Sequence, residues 1–489
     1  MEIESSNRTK TGLKGSCWCG RIKSLPIKFK DKVIEIMQKT KKIGQDDPRK
    51  IVHALKVGLA LTLVSMVYHV RPLYDGFGEF GMWAILTVVV VLEFTVGATL
   101  SKGLNRGFAT FLAGALGVGA VQLATLFGEK GQPIVLAFLV FLIAAASTFT
   151  RFFPHIKQRY DYGVLIFILT FSLVTVSGYR VEKILELAHH RVSTIILGGA
   201  TCMIISIFVC PAWAGEDLHK LIGVNIERLG NFLEGFGSEY LKLCEDGGNK
   251  QFLQVYKSVL NTKTTEESLA NFAWWEPCHG RFRLHHPWKQ YLKIGVLARQ
   301  CAYKIEALNG FIINSDNQAP SEIQRRIKAP CTKMSSESGK ALKQLASSIR
   351  TMTQPSSPNL HVEIAKIAID EFNSAMEAAS PESTQLLQVI PSVTVASILI
   401  EIINCVEKIE ESINELSQLA HFKSSVELST VTPERPQFLH LGSIKPVRDG
   451  DGDGDGDGGH VVITVRGTSP DSPQEGNPQA LRKSQPAEV

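Results

Sequence analysis

Six apolar runs in close succession constrain this chain more than any other feature. They cover residues 51–70, 82–100, 107–127, 133–150, 162–179 and 192–210 of 489. Each is roughly 17–21 residues, enough for a helix to cross a hydrocarbon core of about 30 Å. A single run of this kind also suits a buried core helix. Six in series, joined by short polar connections, read as a membrane domain spanning 51–213. Chain-wide mean hydropathy lies near zero, because polar sequence flanks this block on both sides.

The flanks set an orientation. Residues 1–50 hold 13 Lys or Arg against 6 Asp or Glu, a basic arm beside the first run. "MEIESSNRTK" has no apolar segment of signal-peptide type, so no cleavable leader is expected. Lys102 and Arg106 in "SKGLNR", with Arg151, Lys157 and Arg159 in "RFFPHIKQRYD", add basic residues to the same side. Asp75, Glu79, Glu129, Glu182 and Glu186 occupy the opposite connections. The bias of Lys and Arg places both termini in the cytoplasm. Glycines and other small residues in "GFATFLAGALGVGA" and "LGGATC" predict close helix packing.

From Glu216 the pattern becomes that of soluble helices. Leu218, Leu221, Ile222, Leu229, Phe232 and Leu233 recur at helical spacing, and a second stripe runs from Val395 to Leu416. The second stretch carries Glu401, Glu407, Lys408 and Glu410, so it reads as a bundle helix and not a seventh span. A cytoplasmic helical domain over 214–425 follows, then a Pro-, Ser-, Gly- and Asp-rich tail over 426–489 predicted to be disordered. "DGDGDGDGG" opens like a calcium loop, but His460 stands where the closing glutamate belongs, so a solvating tract is the better reading. Nine cysteines at irregular spacing give no disulfide framework and suit a reducing compartment.

Nothing points to catalysis or to nucleic acid. The sequence has no phosphate-binding loop, dinucleotide fingerprint, nucleophile elbow or HExxH. "WWEPCHGRFRLHHPW" is dense in Cys and His but lacks paired metal-ligand spacing, so it reads as a Pro-fixed aromatic loop. Glu276 in that loop is expected to pair with a cation.

Charged residues within and beside the runs carry the functional signal. Lys56 lies inside the first run and Glu93 inside the second, where each is the other's expected partner. Arg106, Arg151, Arg180 and Arg191 stand at run ends. The inside-positive rule accounts for Lys102, Lys157 and Arg159, but not for Lys56, Arg180 or Arg191. Basic side chains around a pore attract anions and replace part of their hydration. A coupled carrier with Glu93 as its proton- or sodium-coupling site and a non-conducting scaffold are the competing readings.

Several long stretches in order between about residues 46 and 425 resemble the plant aluminium-activated malate transporter family. They include "DDPRKIVHALKVGLAL", "MWAILTVVVVLEFTVGATLSKGLNRG", "DYGVLIFILTFSLVTVSGYR", "ISIFVCPAWAGEDLH" and "WWEPCHGRFRLHHPWKQYLKIG". The resemblance implies a dimeric channel with six spans and a cytoplasmic helical domain, passing malate and other organic or inorganic anions, with no cofactor. By motif match it implies conduction residues at Lys56, Glu93, Arg106, Arg180 and Arg191. Gating falls on Trp275, Glu276 and Pro277, and an external aluminium site on Asp75, Glu182 and Glu186. Plasma membrane is the expected location, ahead of the vacuolar membrane.

Overall fold

The computed structural model describes residues 27–67, 82–178, 184–241, 254–284, 286–314, 322–356, 358–378 and 386–424. The Asp-Gly tract and the rest of the tail lie outside them, as do Asp75, Arg180 and Glu182. The fold is all-helical, and among the described residues only two isolated β-bridges occur.

The N-terminal half begins with α1 (Ile27–Asp46) and α2 (Arg49–Val67), then α3 (Met82–Val91) and α4 (Val96–Thr125). It continues through α5 (Gly128–Thr150), the short α6 (Pro154–Arg159), α7 (Asp161–Gly178) and α8 (Ile184–Phe208). The 82–100 run is therefore not one helix. It breaks at 92–95, and "SKGLNR", expected to be a connector, is helical inside α4. The break has a local cause. Thr95 is extended, and its hydroxyl accepts the Ala98 N–H, capping α4 with a bond that a continuing helix would not make.

By length and composition, Val96–Thr125, Gly128–Thr150 and Ile390–Leu419 can each cross a membrane; Met82–Val91, Asp161–Ser177 and Val192–Phe208 are shorter apolar helices. α4 packs along α7 and α8, and α3 along α8. At Gly198 an added Cβ would meet the Ala84 carbonyl at 2.7 Å, the close approach expected from the small residues of that run. Large apolar side chains such as Phe111, Phe138 and Phe141 face outward, a surface suited to lipid and costly in water.

The C-terminal half comprises α9 (Ala214–Leu241), α10 (Lys257–Leu260), α11 (Lys263–Ala273), α12 (Trp288–Asn314), α13 (Glu322–Thr351), α14 (Leu360–Glu377) and α15 (Leu386–Leu419). α9 pairs with α13 and α12 with α15, and their stripes share one core that includes Ile222, Ile226, Phe232, Ile305, Ile402 and Ile409. Although α15 is apolar enough to span a membrane, Lys304–Glu401 and Lys293–Glu415 tie it to α12.

One ion pair lies deep inside this half. Glu266 on α11 meets Arg299 on α12, and its other oxygen accepts from Thr262 Oγ1 (2.7 Å) and Asn225 Nδ2 (3.3 Å). Removing one member of a buried pair strands the other charge at a cost of about 3–5 kcal/mol, whereas an exposed pair contributes about 1 kcal/mol or less. Glu266→Ala is therefore expected to lower the thermal unfolding midpoint of the purified protein far more than Glu371→Ala, which breaks the exposed pair with Lys333. Equal shifts would contradict this account of the core.

Candidate functional site

A five-residue strap, 209–213, joins the two halves. After α8 ends at Phe208, Cys210 takes a left-handed backbone with φ of 44°, Pro211 cannot continue the helix, and α9 begins at Ala214. A non-glycine residue held there costs about 1–3 kcal/mol, so the strap needs anchors. Lys56 Nζ donates to the Cys210 carbonyl at 2.9 Å, and the Val96 N–H donates to the Ala212 carbonyl at 2.9 Å. Lys56 thus sits at the negative C-terminal end of α8 and satisfies a carbonyl the helix leaves open.

The third anchor is Glu276. The turn after α11 presents Trp274, Trp275, Glu276 and Pro277, closed by Trp275 N–H to Phe272 O (2.9 Å) and Glu276 N–H to Ala273 O (3.2 Å). Glu276 Oε1 accepts the Ala214 N–H at 2.6 Å and Oε2 the Gly215 N–H at 3.0 Å, while Gly97 donates a third backbone N–H. These donors open α9 and α4, so one carboxylate faces two helix N-termini. Glycine is needed at 97, because a Cβ there would strike the Phe272 carbonyl and the Glu276 stem. The expected cationic partner is absent among the described residues; helix ends supply the positive potential instead.

The Glu276 side chain is 1% exposed. Burial drives its carboxyl up to about 7 from 4.5, against the pull of the three N–H donors. His279 stacks on Trp213 with centroids 3.8 Å apart, and its Nδ1 lies 2.8 Å from the Pro277 carbonyl. That carbonyl can only accept, so Nδ1 carries the proton, and the bare Nε2 looks at Glu276 Oε2 from 3.8 Å. Burial lowers the His279 pKa, so the ring is held neutral beside Glu276.

Neighbouring contacts grip the α6 turn. Arg159 lies over the Trp274 ring at 4.6 Å, Trp275 meets Tyr160 edge-on, and Asn271 Nδ2 donates to the Gln158 carbonyl at 2.8 Å. From the other side Asn105 Nδ2 donates to the Arg159 carbonyl at 3.0 Å. Among the described residues no three His, Cys, Asp or Glu side chains converge as a metal site, in "WWEPCHGRFRLHHPW" or elsewhere.

The expected Lys56–Glu93 pair does not form. Glu93 lies in the break, and its backbone N–H and carbonyl both bond the Thr99 hydroxyl, at 3.0 and 3.2 Å. That fold-back brings its carboxylate to Lys102, one turn beyond Thr99. Arg106 follows one turn later, buried, with Nη1 on Tyr162 OH at 3.1 Å and Nε unpartnered among the described residues. Arg151 is neutralised by Asp161, at 2.7 and 3.1 Å. Lys56 and Arg106 are thus buried cations whose observed partners are neutral. Arg191 and Glu186 belong to α8, with only their backbone described. Thr95, Thr99, Asn105 and Tyr162 were not singled out from sequence; the threonine just after Glu93 was the available capping signal.

An all-helical protein whose N-terminal half turns large apolar side chains outward and holds helices long and apolar enough to cross a bilayer has the build of a membrane protein. The family model "Aluminium activated malate transporter" matches residues 41–382. Aluminum-activated malate transporter 2 of Arabidopsis thaliana is 53% identical over 400 residues, covering 81% of this chain and 80% of that protein. Aluminum-activated malate transporter 1 of Triticum aestivum is 48% identical over 407 residues, covering 80% and 87%. The chain belongs to the aluminium-activated malate transporter family.

The raised Glu276 pKa has a signed consequence. The folded protein holds this proton up to about 7, whereas the unfolded chain releases it near 4.5. Its contribution to stability is full below 4.5 and is lost as pH rises through about 7, in all about 3 kcal/mol at 1.36 kcal/mol per pH unit. The difference in unfolding midpoint between the native protein and Glu276→Gln, followed from pH 4.5 to 8, should change across that window. A constant difference would show that Glu276 keeps an ordinary carboxyl pKa.

Proposed function

We propose that the chain is an anion channel that passes malate, and other organic or inorganic anions, across the plant plasma membrane as a homodimer. In this reading residues 51–213 form six spans, 214–425 a cytoplasmic helical domain, and both termini are cytoplasmic. Family membership supports the transport class. The observation that carries the anion preference is the pair Lys56 and Arg106, both buried and both bonded to neutral partners, which leaves their positive field available to a passing anion. Arg180 and Arg191 complete the cationic pathway. Glu93 tunes it from the helix break, where its ion pair with Lys102 argues against a role as a free proton-coupling site.

Neutralising Lys56, Arg106, Arg180 and Arg191 one at a time should lower conductance or reorder anion preference in patch recordings, with surface expression retained. Unchanged current–voltage curves for all four would rule out this pathway. Reversal potential under an imposed malate gradient separates a channel from a coupled carrier.

Trp275, Glu276 and Pro277 form the gating element of this proposal. Glu276 bonds the first turns of both α4 and α9, so its loss alters how the halves move together. Glu276→Gln is expected to shift voltage dependence or open probability while leaving anion ranking intact; altered ranking with native gating would contradict the assignment.

Asp75, Glu182 and Glu186 extend the proposal to an external site for a hard trivalent cation. External aluminium at acidic pH should raise wild-type current but not that of Glu182→Gln or Glu186→Gln, which keep basal current. Wild-type current indifferent to aluminium would leave these carboxylates a bracing role.

A further inference from the structure

We propose that α1 is an interfacial helix that docks on anionic lipid headgroups of the membrane that α2 enters. The inference rests on the reading of α2 as a span. Val33, Ile36, Met37, Thr40, Ile43 and Gly44 recur at helical spacing and form one stripe of α1. That stripe is uncovered: Ile36 is 61% exposed, Met37 57% and Ile43 52%. Lys32 and Lys39 lie along one edge of it and Lys41 along the other. The whole helix carries six Lys against three Asp or Glu. An apolar stripe edged by lysines is the pattern of a helix lying in a headgroup layer.

The corner with α2 gives the stripe its direction. The chain turns at Asp47 and Pro48, with Asp47 N–H on the Ile43 carbonyl at 3.2 Å and Ile51 N–H on the Pro48 carbonyl at 3.1 Å. Gly44, inside the α1 stripe, lies so near Ile51 that a Cβ would sit 2.9 Å from its Cδ1. Ile51 in turn heads the exposed stripe of α2, which runs through Leu55 (69% exposed), Leu59 and Leu63 at intervals of four. The two stripes meet at the bend, so hydrocarbon that covers one reaches the other. The tail carries an Asp-Gly tract that could answer the lysines and, beside it, the apolar Val461, Val462, Ile463 and Val465, so its deletion is one arm of the test. Lipid is favoured because the α1 stripe is continuous with the exposed stripe of α2.

The test is hydrogen exchange on the full-length protein in nanodiscs of phosphatidylcholine alone, or of phosphatidylcholine with phosphatidylserine. Three net positive charges near an anionic surface should slow exchange of the 27–46 amides on the order of a hundredfold relative to neutral discs. Lys32→Gln, Lys39→Gln and Lys41→Gln together should abolish that gain, and Ile36→Glu with Met37→Glu should remove protection in both disc types. Exchange that ignores headgroup charge overturns the proposal. So does protection that vanishes when residues 426–489 are deleted, or that appears only with two copies per disc. The 49–67 amides are the control: they stay protected in both discs if α2 spans, and their rapid exchange would defeat the spanning reading and with it the docking that rests on it. Protected 49–67 amides with 27–46 amides indifferent to headgroup charge defeat the docking alone.

Discussion

A single carboxylate facing the ends of two helices is the interaction on which the arrangement of this protein depends. Helix N-termini leave backbone N–H groups without partners, and a buried end with open donors is costly. Glu276 answers three of them, two opening α9 and one opening α4. Bonds from neutral donors to a charged acceptor contribute about 1.5–3 kcal/mol each, against the several kcal/mol needed to bury a carboxylate. Near balance leaves the proton on Glu276 loosely decided near neutral pH, and the bare Nε2 of His279 stands beside it. The link between halves is strong in one protonation state and different in the other.

The same strap explains why a lysine lies inside an apolar helix. Lys56 closes the carbonyl end of α8, as Glu276 closes the amide end of α9, so the turn between them is held by opposite charges at opposite dipole ends. The two residues differ in what they leave over. The Glu276 charge is met by several donors, but one neutral carbonyl does not cancel an ammonium. Arg106 is in the same condition against Tyr162. Buried cations without carboxylate partners are expensive in a membrane, so both residues carry a cost that their neutral partners do not cancel.

Helical character, the concentration of apolar residues in 51–213, and the stripes of α9 and α15 were legible in the sequence. These follow from periodicity, because a side chain every 3.6 residues either repeats on one face or does not. The boundary near Glu93 was not legible. Hydropathy sees "VVVVLEFTVGATL" as continuous grease, while the break is made by one threonine hydroxyl capping α4 and another folding Glu93 back.

What the sequence determined by itself was therefore the solvent each segment prefers and the presence of charges too costly to be idle. Tertiary structure decided which partner each charge took. Glu93 was nearer in expectation to Lys56, yet local backbone bonds turned it to Lys102, and Lys56 went to a carbonyl more than 150 residues away in the chain. Glu276 took backbone N–H groups, which every residue but proline carries and which no sequence pattern singles out. Only the ends of folded helices, brought together by packing, turn those anonymous groups into a binding site for a carboxylate.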